Sequence, residues 1–502
     1  MRKAVNDLLG AYDKIIMDPV HGGIPLYRHE IRVIDHPLFQ RLRNICQNDI
    51  LSLVFPGATH SRFLHSVGVM HVGGRMFRAM IDAYLRERQL SEQVDLTLSQ
   101  LDAIDYLAKT IRLGCLLHDS GHSSFSHQFT QARRIHELMA QPGRFEQLWE
   151  GADYQRYFDG IPRELEHEHY SVRVAHEILG NIDLEQAGLH AEDVMGIMET
   201  TQVTPSAAFC RHAHTFWEFI AGGDSDAGRL RNADIPKLVM GMLSSIVSGE
   251  IDADRADYML RDGFHSSVTI GGFNLDHLLS NLRFGWDTRT PWLGLAITHK
   301  GLGALEDFVY SRHQMYRKVY AHKTALGFDW LLREAINEAL EDPEIFDWVN
   351  TCLGDIRHFS DLTDSFFWEA FRRIARRRPA SYSRCIVDRV KLRHLDTREN
   401  LETDELGAHR HWLARELSLP PTDVVTCTMR ARFSRIGESF DGIQVLVRDP
   451  ISRSRHLRRI SDVSAFFSKF GDGTITHFYL RPAEVTAPPG AKRPAARNPG
   501  GQ

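Results

Sequence analysis

The sequence has few of the features that mark a secreted protein, a membrane protein or a small disulfide-stapled protein. Its six cysteines are scattered without a CxxC pair, which argues against a zinc ribbon and against a disulfide framework. The first residues lack the apolar core of a signal peptide, and no apolar run approaches the roughly 18 residues that span a bilayer. The net charge of −5 provides no global attraction to nucleic acid or anionic lipid. We therefore expect a cytoplasmic protein without a membrane partner.

Histidine is abundant where those other features are scarce. The chain has 502 residues, enough for two or three domains, and contains 27 histidines, as many as it has phenylalanines. Of these 27 histidines, 21 lie in the first 322 residues. Neutral imidazole is a common metal ligand and is also the acid or base best matched to neutral pH. The composition thus directs attention to a metal or acid–base site in the first two-thirds of the chain.

The hydrophobic pattern divides the chain into two parts. Apolar residues recur at helical spacing in 98–119, and similar patterns occur at 66–88, 170–180, 238–262 and 304–340. Later segments are β-branched and aromatic, which predicts short strands at 423–433, 442–449 and 474–481. We predict a mainly α fold, with a helical core at 1–340, a smaller α+β C-terminal lobe at 341–485 and a disordered tail at 486–502.

One constellation of His and Asp residues suggests metal chemistry. His118 and Asp119 are adjacent at the end of the predicted helix 98–119, so their side chains converge only on something placed between them. Further ligands must come from elsewhere, and His65 and Asp254 lie in segments of similar character. A His–Asp dipeptide alone is weak evidence, because it is common by chance. The order H…HD…D, with further histidines four and nine residues after His118, is more specific.

These residues lie in segments that resemble the HD-domain superfamily of metal-dependent phosphohydrolases, and more narrowly its deoxynucleoside triphosphate triphosphohydrolases. The resemblance implies an HD-domain helical core, and we expect no SAM domain because the first matching motif begins at residue 17. It also implies a divalent ion (Fe, Mn, Zn or Mg) held by His65, His118, Asp119 and Asp254, with Mg²⁺ accompanying the triphosphate. The matching segments are MDPVHGGI (17–24), DHPLFQRLRNICQ (35–47), VFPGATHSRFLHSVGVMHV (54–72), HDSGHSSFSH (118–127), DADRADYMLRD (252–262) and YRKVYAHKT (316–324).

The same resemblance implies a reaction and roles for other residues. A deoxynucleoside triphosphate (dNTP) would be hydrolysed to deoxynucleoside and inorganic triphosphate, with His127 as proton donor and His122 and His167 beside it. Gln47 and Asp262 would bind the 3′-hydroxyl, while Tyr320 and Tyr258 would leave no room for a 2′-hydroxyl. The positions implied to contact the triphosphate are Arg62, Arg255, Arg312 and Tyr316. At two of these positions the chain departs from the family, with Arg255 in place of Lys and Tyr316 in place of His.

Regulation is a further implication of the resemblance. Lys14, Asp35, Gln40 and Arg43 match a pocket between subunits that reads a guanine nucleotide in some members. We therefore expect a homo-oligomer, a dimer or a tetramer, with GTP or dGTP as a possible activator.

Two other functions remain open from the sequence. One is a phosphohydrolase or phosphodiesterase that acts on another nucleotide. The other is a catalytically quiet protein that senses nucleotides or binds nucleic acid, for which the basic runs 371–379 and 453–459 provide local positive charge.

Overall fold

The computed structural model describes most of the chain. The described residues are 11–89, 96–162, 164–198, 200–222, 234–268, 272–287, 291–431, 442–449, 451, 455–468 and 473–482. The predicted tail at 486–502 and the start of the basic run 453–459 lie outside them.

Helices dominate the structure, and this confirms the predicted mainly α class with a smaller α+β lobe. The α-helices are α1 (Arg28–Ile34), α2 (Pro37–Gln40), α3 (Arg62–Gln89), α4 (Leu98–Leu117), α5 (Ser126–Gln131), α6 (Arg133–Met139), α7 (Arg144–Leu148), α8 (His167–Gly180), α9 (Ala191–Gly196), α10 (Ala207–Ala221), α11 (Ile235–Val247), α12 (Ala253–Ser266), α13 (Leu275–Ser280), α14 (Leu302–Met315), α15 (Lys323–Ala339), α16 (Pro343–Gly354), α17 (Asp364–Arg377), α18 (Tyr382–Val387) and α19 (Thr403–Glu416).

Nine strands form three small sheets in the described part of the chain. Strands β1 and β2 form an antiparallel hairpin, the second sheet has the order β3-β4-β7-β8, and the third has the order β5-β9-β6. The strands are β1 (Lys14–Asp18), β2 (Gly22–Leu26), β3 (Leu282–Asp287), β4 (Trp292–Thr298), β5 (Arg393–Glu399), β6 (Val424–Ala431), β7 (Gln444–Arg448), β8 (Arg455–Arg459) and β9 (Gly473–Leu480).

The second sheet joins segments from both sides of residue 340. Strand β4 pairs in parallel with β7, and Ile297 lies opposite Val445. The boundary between core and lobe at residue 340 stays a prediction, and the described strands show that the two parts share one sheet.

Helix α4 shows how the local sequence positions the site. Its N-terminus is closed by a capping box, in which Thr97 accepts a hydrogen bond from Gln100 N while Gln100 accepts one from Thr97 N. Its last turns carry a fully buried apolar stretch that includes Leu113, Leu116 and Leu117. Because α4 is anchored in the core over this stretch, the residues that follow it are held firmly.

Gly121, two residues after Asp119, lets helix α8 pack closely. A Cβ at this position would overlap the backbone of Tyr170 and Ser171. The Gly121 amide donates a hydrogen bond to Ser171 Oγ at 2.9 Å.

We expect Gly121→Ala to lower the free energy of unfolding by about 1–3 kcal/mol, because the backbone of both packed segments must move. Gly407→Ala is the matched control, since Gly407 lies in α19 with open space around it and the change favours helix. Thermal unfolding measures both variants, and equal melting temperatures would contradict this packing.

Candidate metal centre and active site

Three helix ends bring the four predicted metal ligands together. His65 lies in the first turn of α3, His118 and Asp119 follow α4, and Asp254 lies in the first turn of α12. His65 Nε2 is 3.0 Å from Asp254 Oδ1 and 3.7 Å from Asp119 Oδ2. His118 Nε2 is 3.6 Å from Asp254 Oδ1 and 3.5 Å from Asp119 Oδ1. The donor atoms of His65, His118 and Asp119 are close enough together to hold one metal ion.

The two imidazoles are oriented in the manner of metal ligands. His65 Nδ1 lies 2.8 Å from Asp257 Oδ2, and His118 Nδ1 lies 2.8 Å from the Cys115 carbonyl oxygen. Both Nε2 atoms are buried and make no well-aligned hydrogen bond within the described residues, although carboxylate oxygens are nearby. A partner on one ring nitrogen with the other facing a cluster is the usual arrangement around a bound metal. The residues present therefore fit a divalent ion.

The electrostatics of the cluster favour a cation. Burial alone lowers the pKa of His65, but the carboxylates of Asp254 and Asp257 outweigh burial and raise this pKa to about 10. Burial raises the pKa of Asp254, whereas His118 and His65 together bring it below the usual range. A site that stabilises positive charge on His65 also stabilises a metal cation beside its Nε2.

A buried ionic network behind His65 was not predicted. Asp257 accepts two hydrogen bonds from Arg261, at 2.8 and 2.9 Å, and its Oδ1 lies 2.6 Å from His21 Nε2. Arg261 Nη1 donates in turn to Asp18 Oδ2 at 2.7 Å. The sequence carried a signal for these residues, because Asp257 and Arg261 follow Asp254 on one face of α12. Asp18 and His21 belong to the MDPVHGGI segment.

The three predicted catalytic histidines also lie together. The rings of His122 and His167 stack with centroids 4.0 Å apart, and His127 meets each of them edge-on at 5.1 Å. His122 Nε2 is 3.4 Å from Asp119 Oδ1, so Asp119 contacts both the ligand cluster and the histidine cluster. Asp119, His122 and His167 form a second set of closely spaced donor atoms.

Arg62 fixes Asp119 to the start of α5. Its Nη1 donates to Asp119 Oδ2 at 2.6 Å and its Nε donates to Ser126 Oγ at 2.7 Å. Desolvation in the cleft, followed by the charge of Arg62, lowers the pKa of His127 to about 4. Burial and neighbouring His127 lower the pKa of His167 to about 3. Both rings are therefore neutral at pH 7 when the site is free.

A cavity of about 340 Å³ opens beside His127 and His167. Its other lining residues include Glu164, Glu166 and Glu168. These carboxyl groups make the cavity a poor place for a triphosphate.

The predicted sugar-binding residues are connected through His60, which the sequence interpretation missed. Tyr320 donates to Asp262 Oδ2 at 2.5 Å, and Asp262 Oδ1 lies 2.8 Å from His60 Nε2. The His60 carbonyl accepts from Gln47 N at 3.0 Å. Gln47 Oε1 is buried without a hydrogen-bond partner in the described part of the chain.

The remaining predicted phosphate-binding residues lie on α12, α14 and the π-helical turn Tyr316–Tyr320. The Arg312 guanidinium is 5.7 Å from the ring centroid of Tyr316, whose ring packs edge-on against Tyr320 at 5.3 Å. Burial raises the pKa of Tyr258 above its usual range, and Arg312 opposes this rise. Arg255 pairs with Asp252 Oδ2 at 3.2 Å and also contacts the Gly249 carbonyl.

The four residues predicted to bind a regulatory nucleotide lie near the N-terminus. Gln40 Oε1 accepts from Arg43 Nε at 2.8 Å, and the Arg43 guanidinium covers the Phe63 ring at 3.5 Å from its centroid. Asp35 ends α1 and is exposed. Lys14 is exposed at the start of β1, and no hydrogen bond or ion pair between described residues joins it to the other three.

The fold and the clustered side chains define a helical protein with an HD-type arrangement of candidate metal ligands. Comparison with known proteins agrees. The deoxynucleoside triphosphate triphosphohydrolase SAMHD1 of Bos taurus is 28% identical over 372 residues, covering 71% of this chain and 54% of the relative. Its Homo sapiens counterpart is 27% identical over 367 residues, covering 71% and 50%. An uncharacterized protein of Methanocaldococcus jannaschii is 26% identical over 351 residues, covering 70% and 53%.

These matches confirm the resemblance to the HD-domain deoxynucleoside triphosphate triphosphohydrolases that the motifs indicate. The chain spans about half the length of these curated relatives. No protein-family model matches the chain.

Solved structures support the fold. A phosphohydrolase from Bacteroides thetaiotaomicron aligns with 93% of this chain and 99% of its own, at a TM-score of 0.58 and 19% identity. A hypothetical protein from Aquifex aeolicus aligns with 93% and 96%, at a TM-score of 0.59 and 23% identity. Within the described residues, no helix combines the length and apolar character that a membrane crossing requires.

The network behind His65 yields a test of the candidate metal centre. We expect Asp257→Asn to reduce metal affinity about 10- to 100-fold, because the amide cannot hold His65, His21 and Arg261 as the carboxylate does. Asp193→Asn is the matched control, since Asp193 is buried and accepts hydrogen bonds from Tyr106 and Ser206 instead. Metal titration followed by elemental analysis measures both variants. Equal metal retention in the two variants would show that Asp257 does not support the site.

Proposed function

We propose that the protein hydrolyses a dNTP at the α-phosphate and releases the deoxynucleoside and inorganic triphosphate. The observation that carries this proposal is the contact of Asp119 with two clusters at once, with the candidate metal ligands His65 and His118 and, through His122, with the three histidines. A metal site and an acid site that share one carboxylate suit the cleavage of a phosphate ester with a poor leaving group. The curated relatives named as triphosphohydrolases of dNTPs support this substrate class.

His65, His118, Asp119 and Asp254 would hold the divalent ion. When bound, such an ion supplies Lewis-acid chemistry, which polarises a phosphate and lowers the pKa of a water molecule. The mixed nitrogen and oxygen donors favour Fe, Mn or Zn over Mg²⁺, which prefers oxygen ligands. Mg²⁺ would instead accompany the triphosphate of the substrate.

The protein's own side chains would carry the remaining steps. His127 would donate a proton to the departing 5′-oxygen of the deoxynucleoside, and the rings of His122 and His167 would hold His127 in place. Because the pKa of His127 is low in the free site, it needs the negative charge of a bound triphosphate to become protonated. Arg62 would keep the Asp119 carboxylate aligned.

Recognition of the sugar would depend on the connected group of Gln47, His60, Asp262 and Tyr320. Gln47 Oε1, which has no hydrogen-bond partner among the described residues, and the Asp262 carboxylate suit a 3′-hydroxyl. The Tyr320 ring, held by Asp262, would exclude a 2′-hydroxyl by contact. Tyr258 would add to the same wall, and Arg255, Arg312 and Tyr316 would form the side of the pocket toward the phosphates.

The proposal predicts one product pattern. Incubation with the four dNTPs and a divalent metal should release inorganic tripolyphosphate, whereas the four NTPs should react much more slowly. His127→Gln should lower kcat about 10²- to 10⁴-fold, which is the usual contribution of a general acid. His136→Gln is the control, because His136 lines the same cavity on α6. Release of phosphate or pyrophosphate in place of tripolyphosphate would reject the reaction, and equal rates with NTPs would reject the sugar selection.

We also propose that a guanine nucleotide activates the protein through Lys14, Asp35, Gln40 and Arg43 by promoting a dimer or tetramer. GTP or dGTP should increase the mass measured by light scattering and the initial rate. Asp35→Ala should abolish both responses, since the carboxylate would bind the guanine edge. Asp404→Ala, at an exposed position of α19, should respond like wild type. A rate and mass that do not change with GTP would end this proposal.

A further inference from the structure

One buried carboxylate from the C-terminal part of the chain, Asp364, contacts two segments of the candidate active site. One segment ends at Gln47, and the other is the turn between His122 and His127. Asp364 is the first residue of α17, and it is 5% exposed. Its Oδ2 accepts a hydrogen bond from Cys46 N at 2.8 Å. Its Oδ1 accepts one from Phe125 N at 2.8 Å and one from Ser124 Oγ at 3.3 Å. The two backbone partners are 318 and 239 residues away in sequence.

The side chain of Asp364 does not serve its own helix. Thr363 is the N-cap residue of α17, and the hydrogen bonds described for the Asp364 carboxylate all go to other segments. Asp342, at the start of α16, shows the ordinary alternative, because it accepts from Glu344 N two residues away. A capping role therefore does not explain why a carboxylate is buried at position 364.

The two segments that Asp364 holds carry residues of the candidate site. Cys46 immediately precedes Gln47. The segment that contains both residues is also held by an isolated antiparallel β-bridge, in which the backbone of Cys46 pairs with that of Ser61. Phe125 and Ser124 lie in the turn between His122 and His127. Asp364 thus connects the segment proposed to bind the sugar with the turn that carries the proposed acid.

The turn between His122 and His127 needs external support. Phe125 and Ser126 have φ angles of 48° and 45°, in the left-handed region that residues other than glycine rarely adopt. Two contacts oppose relaxation of the turn. Arg62 Nε holds Ser126 Oγ on one side, and Asp364 holds the Phe125 amide on the other.

We propose that Asp364 is a positioning residue, which sets the Gln47 segment at a fixed distance from the His127 turn. The catalytic consequence rests on the proposed function, whereas the coupling of the two segments does not. The carboxylate can do this because it offers two acceptor oxygens to two amides that converge from different parts of the fold.

Asp364→Asn separates this role from packing. The amide has the same shape but only one acceptor oxygen, and its NH₂ group would face one of the two backbone N–H donors. Burial raises the pKa of Asp364 to about 6, so the fold does not favour its charge. The backbone N–H that faces the new NH₂ group loses its acceptor, so we expect a modest fall in melting temperature. The metal content should stay close to wild type.

Hydrogen–deuterium exchange provides the direct test in the full-length protein. In Asp364→Asn, segments 44–47 and 122–127 should both exchange at least about tenfold faster than in wild type, while the rest of the chain is unchanged. With dNTP as substrate, kcat should fall about 10- to 100-fold and KM should change less than kcat. Asp342→Asn, which replaces a carboxylate that caps only its own helix, is the matched control and should match wild type in both measurements.

Three outcomes would overturn the proposal. Exchange could be unchanged in both segments, it could be faster in only one of them, or it could rise throughout the chain, as a general loss of stability would cause. If Asp364→Asn does not fold, Ser124→Ala removes one hydrogen bond from the same carboxylate. Exchange should then rise in 44–47 as well as in 122–127, and a rise in 122–127 alone would overturn the coupling. If wild type hydrolyses no dNTP, the proposed function fails, and the exchange result still decides whether Asp364 couples the two segments.

Discussion

The candidate site depends on the contacts of the Asp119 carboxylate with the positive and imidazole groups around it. Arg62, His65, His118 and His122 all lie within 4 Å of its two oxygens. A largely enclosed carboxylate such as Asp119, whose side chain is 15% exposed, costs free energy unless positive or donor groups surround it. The positions of these four side chains are therefore linked through one residue. Arg62 and His65 lie on α3, whereas His118 and His122 follow α4, so the ends of these two helices must keep a fixed relative position. Gly121 and the buried end of α4 are the local means by which they do so.

A second carboxylate, that of Asp257, is fully buried and contacts the other ring nitrogen of His65. Asp257 faces His65 from the side opposite the candidate metal position, Arg261 compensates its charge, and His21 Nε2 lies 2.6 Å from its Oδ1. Arg261 extends the network to Asp18 in the β1–β2 hairpin. This network joins the hairpin, α3 and α12. The side chains of Asp257 and Arg261 at its centre are fully buried. Burying such a network costs free energy. In return it fixes the orientation of the His65 ring, which a metal ligand requires.

The sequence was informative wherever function depends on local spacing. The helical pattern at 98–119 matches α4, and the predicted strands match β6, β7 and β9. The HD segments located every candidate ligand, and the structure brings those residues together. Strands β3 and β4 were missed because each contains a glycine, Gly285 and Gly294, and because β4 pairs with a strand that comes much later in the chain. Asp364 had no local signal at all, since its partners lie hundreds of residues away.

The charges around Asp119 also indicate what kind of molecule the site accepts. Four carboxylates, Asp18, Asp119, Asp254 and Asp257, face the positive groups Arg62, Arg261 and a protonated His65, so the cluster carries about one net negative charge. A divalent ion at the cluster would replace the proton on His65 and bring the cluster close to neutral. Burial lowers the pKa of the neighbouring His122, His127 and His167 rings, so these rings add little positive charge. An anionic group placed between the metal position and these rings would raise the pKa of the histidines toward the range in which they donate protons.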